Sequence, residues 1–345
     1  MKVLMVGLGG IGQRHMRNLK HMLGPEASFS ACRVRRLNQT LTDRLTLLDG
    51  VDLEEEYAIK VFTDLDEALR DKPDIVFVTN PTSAHVGVAL AAARAGCDLF
   101  IEKPVSHNYD RVQELIETVN SRRIVAYVGC QNRFHPCLKL LRRLLVEKTI
   151  GQVLAVNIEV GEYLPGWHTY EDYRQMYASR RELGGGVILS QIHEIDYAYW
   201  LFGMPRRVFA MGGRLSSLDI DVEDVAGIML EFRQGSQILP VHIHADYLQR
   251  PPSRGCKVIG DQGKILVELQ EATVNWYSAS GELAGSQVFK EFTRNDLFME
   301  ELADFLSCVK SRKQPFISVQ DGAMGLKIAL AAKRSLESGD CVLLD

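Results

Sequence analysis

Three glycines near the start of the chain, Gly7, Gly9 and Gly12, stand in a G-x-G-x-x-G arrangement. They follow the short apolar run Val3, Leu4, Met5 and Val6, which reads as a strand covered on both faces. A strand that turns straight into a helix in this way can hold a dinucleotide. Gly7 permits the tight turn, Gly9 lets the backbone approach a pyrophosphate, and Gly12 lets helix and strand pack closely. The helix that opens there, with Gly10 and Ile11 in its first turn, offers free N–H groups and a positive dipole end to phosphate oxygens. Alone the motif is weak. Between a strand and a helix it is much stronger, the alternative being a tight turn with no ligand.

The end of the second strand meets the adenosine ribose. An acidic residue there binds the 2′-hydroxyl of NAD, and an arginine accommodates the 2′-phosphate of NADP. The chain has Arg33-Val34-Arg35-Arg36 with no acid. This favours NADP over NAD, with Arg33, Arg35 and Arg36 as the phosphate ligands; an exposed basic turn is the alternative. Further on, Tyr163, Trp167, Tyr170, Tyr173, Arg174 and Tyr177 crowd one stretch. Aromatic faces and guanidinium forks suit sugar rings and phosphate or carboxylate groups, and suit a lid or subunit contact equally well. His242, His244 and Asp246 share one face of a strand. That trio can ligate a metal, but a polar alternating face ordinarily meets solvent, and no metal site is assigned.

The elements that position these groups fall into two regimes. Up to about residue 130, helices alternate with short apolar strands: a helix over 10–23 stopped by Gly24-Pro25, a strand over 28–34, a helix over 65–70 behind the capping box at Thr63-Asp64, a strand over 74–79, an Ala-rich helix over 84–95, a strand over 98–101, a helix over 109–120 and a strand over 124–129. Residues 38–60 read poorly, as helical and then acidic. Such alternation gives a parallel, doubly wound sheet, whose site lies beyond the carboxyl ends of its strands. The turns at 7–12, 80–83 and 102–104 all fall at that edge. After a helix over 133–148, a long strand over 152–163 and a helix over 187–202, the pattern becomes strand after strand from 208, with hairpin turns at Gln234-Gly235 and Gln262-Gly263. The chain closes on helices over 296–309 and 321–336 and a short strand over 342–344.

A length of 345 residues suits two domains. A formal net charge of −4 without a basic block speaks against nucleic acid as a partner. No apolar run approaches transmembrane length, so no membrane partner is expected. The seven cysteines include no C-x-x-C pair, which fits reduced thiols in a cytoplasmic protein. No zinc-type His/Cys spacing and no G-x-S-x-G elbow offers a competing chemistry.

Taken together, the glycine turn, Thr79-Asn80-Pro81-Thr82 with His85, Glu102-Lys103-Pro104, Asn132-Arg133-Phe134-His135-Pro136, and Gly184-Gly185-Gly186 followed by His193 and Asp196 carry a likeness. The chain resembles the glucose–fructose oxidoreductase / inositol dehydrogenase (GFO/IDH/MocA) family of NAD(P)-dependent oxidoreductases over nearly its whole length. The resemblance implies an α/β Rossmann domain over 1–130. It also implies an α+β domain over 131–345 with a large, mostly antiparallel open sheet, its last helices packing back on the first domain. A sugar or polyol would lie between the domains, and a homodimer or homotetramer would form through the open sheet. Cofactor contacts carried over to this chain are Gly7, Gly9, Gly10, Ile11, Gly12, Asn80, Pro81, Thr82, His85, Glu102, Lys103 and Asn132. Substrate contacts are Lys103, Arg133, Tyr163, Trp167, Ser190 and His193. The stretch from Trp167 to the Gly184-Gly185-Gly186 run looks like a subgroup associated with nucleotide-sugar and nonulosonic-acid pathways, which points to an activated or acidic sugar.

Within that frame Lys103 and His193 are the catalytic pair. Lys103 follows a strand and precedes a proline that fixes the local chain. A lysine beside the positive nicotinamide ring has its pKa lowered and can exchange a proton with the substrate oxygen. A structural pairing with Glu102 is the alternative. His193 matches the family's catalytic histidine, with an ordinary pKa near working pH. The family usually has a carboxylate one helical turn earlier; here Leu189 and Ser190 occupy the two candidate positions. Its loss makes the imidazole less basic, with Asp196 as a partial substitute or a structural residue. Two alternatives stay open: a retained-cofactor epimerase or lyase, and a non-catalytic dinucleotide-binding sensor or subunit.

Overall fold

The computed structural model describes residues 1–33, 39–42 and 45–344. Its first part alternates β1 (Lys2–Val6), α1 (Gly10–Leu23), β2 (Ser28–Cys32), α2 (Leu53–Tyr57), β3 (Lys60–Phe62), α3 (Leu65–Arg70), β4 (Ile75–Val78), α4 (His85–Ala95), β5 (Asp98–Glu102), α5 (Val112–Arg122) and β6 (Ala126–Gly129). The strands pair in the order β3-β2-β1-β4-β5-β6, every pair parallel. β4 and β5 are buried at every position, which is why they read as unbroken apolar runs rather than alternating ones. Because all six strands point the same way, the loops after β1, β4, β5 and β6 emerge at one edge.

The second part contains α6 (Pro136–Val146), β7 (Val153–Gly161), α7 (Val187–Ser190), α8 (His193–Phe202), β8 (Arg207–Gly213), β9 (Val225–Gln234), β10 (Gln237–Asp246), β11 (Ser253–Gly260), β12 (Gly263–Glu268), β13 (Thr273–Ser278) and β14 (Leu283–Val288). Helices α9 (Arg294–Ser311) and α10 (Val319–Ser338) and the short β15 (Val342–Leu343) follow. Nine strands form one sheet in the order β14-β13-β12-β11-β7-β10-β9-β8-β15. The central pair β7 and β10 is parallel and its other pairs are antiparallel. On β10, Leu239, Val241, Ile243 and Ala245 are buried while Ile238, Pro240, His242 and His244 alternate outward, so one face is packed and one is open.

The last helices return to the first sheet. The Val128 N–H donates to Ile317 O at 3.1 Å. Arg312 grips the Asp98 carboxylate from Nη1 at 2.6 Å and Nη2 at 3.1 Å. Capping boxes at Thr293/Asp296 and Ser318/Asp321 fix where α9 and α10 begin.

Two departures from the sequence reading matter for the site. The poorly read segment 38–60 yields the short acidic helix α2 and the strand β3, too brief for periodicity to register. The helix expected over 187–202 is broken between Ser190 and His193. Among the described residues, no helix is long and apolar enough to cross a membrane.

Candidate active site

The first wall of the site is the turn after β1. Gly7 has φ +98, and a Cβ built on it would lie 2.8 Å from both Asn80 N and Thr79 O. A Cβ on Gly12 would lie 2.5 Å from Gly7 O. Both positions exclude a side chain, so strand, turn and helix pack backbone to backbone. Gly9 is the opposite: among the described residues, a Cβ there meets nothing within 4 Å, which leaves room over the turn. Gly9 also stands at the N-cap of α1 without a side-chain cap, and the first turn holds no acidic residue, which leaves its N–H groups for an anion. Gly10 sits against the Tyr170 hydroxyl, 2.8 Å from where its Cβ would be. The aromatic stretch of the second part therefore reaches across to the dinucleotide turn. Ile11 is partly buried against the core.

The loops after β4 and β5 are tied together. His85 is buried and spans them, with Nδ1 2.8 Å from Pro104 O and Nε2 2.9 Å from Asn80 O; burial pulls its pKa down. Pro81 leads into the 3-10 turn Thr82–Ala84. Thr82 is buried against Gly184, where a Cβ would approach to 3.0 Å. Glu102 does not pair with the Lys103 ammonium. Its Oε1 is 2.7 Å from His15 Nε2, and its Oε2 accepts from the Lys103 backbone N–H at 3.2 Å. Thus both ring nitrogens of His85 and both carboxylate oxygens of Glu102 are engaged internally, while His15 Nδ1 has no hydrogen-bond partner among the described residues.

Lys103 points elsewhere. Its Nζ donates to Ser190 O at 2.9 Å. That carbonyl is free because α7 stops there, and the last carbonyls of a helix have no partner within it. The break before α8 therefore creates the acceptor that orients the lysine. His193 opens α8 and is buried, with Nε2 3.3 Å from Gln131 Nε2 and, among the described residues, no hydrogen-bond partner for Nδ1. With the Gln131 amide donating to Nε2, the ring proton resides on Nδ1. Burial, then the charges of Lys103, Arg254 and Arg294, hold its pKa well below the ordinary value, so His193 is neutral. Gln131 Oε1 and Trp167 Nε1 are also buried without partners among the described residues. The buried Ser190 hydroxyl has no hydrogen-bond partner among the described residues, while Tyr247 donates its hydroxyl to Ala178 O at 3.3 Å and meets Trp167 edge-on with ring centroids 5.3 Å apart.

Several expected contacts lie elsewhere. Arg133 is 2% exposed and spent on Asp196, with Nε and Nη2 donating at 2.9 and 2.7 Å. With its fork engaged in this way, Arg133 supports α8 rather than presenting a free guanidinium to a substrate. The same pair removes Asp196 as a substitute for the missing carboxylate. Asn132 is buried in the 3-10 turn Gln131–Phe134. Tyr163 carries the Arg250 guanidinium 3.9 Å above its ring. Arg33 is buried and joined to Glu54 of α2 at 3.0 Å; Arg35 and Arg36 lie outside the described residues. On the open sheet face, His244 Nε2 is 2.8 Å from Asp246 Oδ2. Sequence reasoning missed Gln131, Arg254 and Arg294. Gln131 directly precedes the Asn132-Arg133 motif, whereas the two arginines belong to no motif and are brought in by the second sheet and α9.

Two family models match this chain: the oxidoreductase family with an NAD-binding Rossmann fold over residues 1–130, and the GFO/IDH/MocA C-terminal domain over residues 138–266. The chain belongs to the GFO/IDH/MocA oxidoreductase family. It is accordingly an NAD(P)-dependent oxidoreductase rather than a non-catalytic sensor. It is 29% identical to the myo-inositol 2-dehydrogenase of Thermotoga maritima, covering 100% of this chain and 99% of that one. It is 25% identical to the UDP-N-acetylglucosamine 3-dehydrogenase of Acidithiobacillus ferrooxidans, covering 82% and 84%. In fold it resembles a dehydrogenase of Bordetella pertussis solved with NADH and UDP-GlcNAcA, with a TM-score of 0.79, 19% identity and coverage of 100% and 99%.

Proposed function

We propose that this GFO/IDH/MocA enzyme is a dehydrogenase or reductase of an activated or acidic sugar, with Lys103 exchanging the proton and His193 orienting the reacting oxygen. The observation that carries the reading is the meeting of Lys103, on the free Ser190 carbonyl, with a neutral His193 whose Nδ1 has no protein partner. Buried polar atoms are ordinarily satisfied, and these belong to the edge where a parallel sheet binds its ligands.

The turn fits a dinucleotide, since Gly9 leaves space above it while Gly7 and Gly12 hold the backbone close. The residues proposed to hold the dinucleotide are the backbone of Gly7, Gly9, Gly10, Ile11 and Gly12, the Asn80-Pro81-Thr82 turn, Lys103 and Asn132, with His85 and Glu102 bracing them. Arg33, Arg35 and Arg36 support a preference for NADP in this reading. Arg33 is already joined to Glu54, so the 2′-phosphate falls to Arg35 and Arg36. Once bound, the nicotinamide supplies or accepts the hydride. Lys103 gives a proton to the substrate oxygen in reduction and takes one in oxidation. His193 donates one hydrogen bond from Nδ1 to that oxygen and, being neutral, adds no further positive charge. Trp167 offers an apolar face to the sugar ring. The outward Phe209, Met211, Met229 and Ile238 of the open sheet face support self-association there as a homodimer or homotetramer.

The test is Lys103→Ala, assayed with the sugar found by screening neutral, acidic and nucleotide-linked sugars. The variant is expected to bind NADH or NADPH as the unaltered protein does, by Trp fluorescence quenching, and to lose turnover by about 10²–10⁴-fold. Turnover within threefold of the unaltered enzyme would reject the role of Lys103.

A further inference from the structure

The Gly184-Gly185-Gly186 run takes no part in the chemistry above, yet none of its positions admits a side chain. Gly184 has φ +83, and a Cβ there would lie 2.7 Å from the His107 Cβ. One on Gly185 would lie 2.4 Å from Tyr177 O. Gly186 has φ +105, and its Cβ would fall 2.2 Å from Glu223 Oε1 and 2.5 Å from Oε2. The Glu223 carboxylate therefore lies directly on the backbone where α7 begins. Its side chain is 9% exposed, and Lys333 Nζ of α10 donates to both of its oxygens, at 3.1 and 3.0 Å.

The first N–H groups of a helix find no acceptor within it. In α7 two of them go to Glu223. The Val187 N–H donates to its backbone O at 3.0 Å, and the Ile188 N–H to its Oε1 at 3.4 Å. α7 is one turn of four residues, closed by the Ser190 N–H on Gly186 O at 2.9 Å. Its two ends are about 5 Å apart, so they move together. The far end is the Ser190 carbonyl that takes Lys103 Nζ at 2.9 Å. Asp221, two residues before Glu223, accepts the Arg181 N–H at 2.7 Å. The connection between β8 and β9 thus holds both the aromatic loop and the helical turn that follows it. What orients the lysine is fixed at the opposite end of that turn, by a buried and neutralised carboxylate.

We propose that Glu223 is a positioning residue: by capping α7 it sets the Ser190 carbonyl and, through it, aims the Lys103 ammonium at the substrate oxygen. The inference rests on the reading of Lys103 as the proton-exchanging group and adds the residue that aims it. Glu223 touches neither cofactor nor sugar, so its loss acts on turnover through Lys103 rather than on binding. Misplacing a reacting group by about 1 Å costs on the order of 10²-fold in rate, and a shift of α7 passes straight to the lysine.

The experiment is a double-mutant cycle, assayed with the sugar identified by the screen and with NADH or NADPH binding followed by Trp fluorescence. Glu223→Ala is expected to lower kcat by about 10–100-fold, with KM and cofactor affinity within about threefold of the unaltered enzyme. Glu223→Gln keeps an oxygen for the Ile188 N–H and should recover most of the loss. Added to Lys103→Ala, the change Glu223→Ala should cost less than about threefold more, because the group it aims is gone. Lys333→Met removes the same ion pair from the α10 side; it should lose stability and keep turnover within about threefold. If Glu223→Ala does not fold, Glu223→Asp, one methylene short of Gly186 and Ile188, takes its place in the cycle with an expected loss of about tenfold. An unchanged kcat, effects of Glu223 and Lys103 that multiply, or turnover that follows melting temperature across the Glu223 and Lys333 variants would overturn the proposal and leave Lys103 in its role. Turnover by Lys103→Ala within threefold of the unaltered enzyme would instead remove the reading of Lys103, and this inference with it.

Discussion

The pair Arg133–Asp196 offers the sharpest test of how the site is held. Both side chains are 2% exposed and meet through two bonds of 2.7 and 2.9 Å. Asp196→Asn keeps the shape and removes the charge, which strands a buried guanidinium. Breaking a buried pair in this way costs about 3–5 kcal/mol. Asp321 Oδ1 lies 3.9 Å from Arg133 Nη1 and is 27% exposed, so a second, partly screened carboxylate offsets some of the loss and places the expectation at the low end, about 3 kcal/mol. At about 2–4 °C per kcal/mol for chains of this order of size, the melting temperature should fall by roughly 6–12 °C. The double variant Arg133→Met/Asp196→Leu removes both charges and should recover most of that loss, because an apolar replacement of a buried pair is often neutral. Urea and thermal unfolding with bound NADH held constant give the numbers. If Asp196→Asn cost less than about 1 kcal/mol, or the double variant were worse than the single, Arg133 would not be a support for α8 and the sequence expectation of a substrate contact would return.

Three glycine and histidine substitutions probe the rest. Gly9→Ala should fold with unchanged stability, since φ at Gly9 is −69 and nothing lies within 4 Å of the new methyl, yet weaken NADH at least tenfold by standing where the pyrophosphate approaches. Gly12→Ala, with its methyl 2.5 Å from Gly7 O, should lose both stability and binding; equal behaviour of the two variants in thermal unfolding would contradict the packing described. His135 caps α6 by accepting the Cys137 N–H at Nδ1, and burial holds its pKa down to about 4. The unfolded chain then takes its proton first, so stability is complete above pH 6.5 and is lost as pH falls to about 4, by about 3 kcal/mol in total. His135→Asn keeps a cap acceptor and should flatten that decline; parallel urea midpoints for the two proteins between pH 7 and 4.5 would reject the assignment.

The first sheet was legible because its physics is local. Buried parallel strands write themselves as apolar runs, and the glycine spacing of the turn is itself local, although the backbone that excludes a side chain at Gly7 is that of Thr79 and Asn80. The strand β3 was not legible, since three residues, Lys60 to Phe62, carry no period. Around His193 the reading failed for a different reason. Counting back three or four residues to Ser190 and Leu189 assumes one continuous helix, whereas the chain breaks there. Periodicity sees apolar Val187, Ile188 and Leu189 leading into Ile192 and Ile195, and reports one stripe. The break shows only through Lys103, a residue 87 positions away, which takes the freed Ser190 carbonyl.

The two carboxylates that flank His193 on α8 explain how a site built this way acquires its charge. Glu194 and Asp196 are two residues apart, so a helix directs them to different sides. Each meets its own arginine: Glu194 takes Arg254 from β11, and Asp196 takes Arg133 from the 3-10 turn after β6. One clamp ties α8 to the second sheet, and the other ties it to the edge of the first. His193 is thereby held between the two parts of the molecule, beside the lysine that follows β5. Both clamps consume a negative charge for every positive one. Lys103 instead rests on a neutral carbonyl, Ser190 O. Placing a carboxylate there, as Ser190→Asp, would neutralise that charge from the protein side, so anionic and uncharged sugars should become less distinct as ligands.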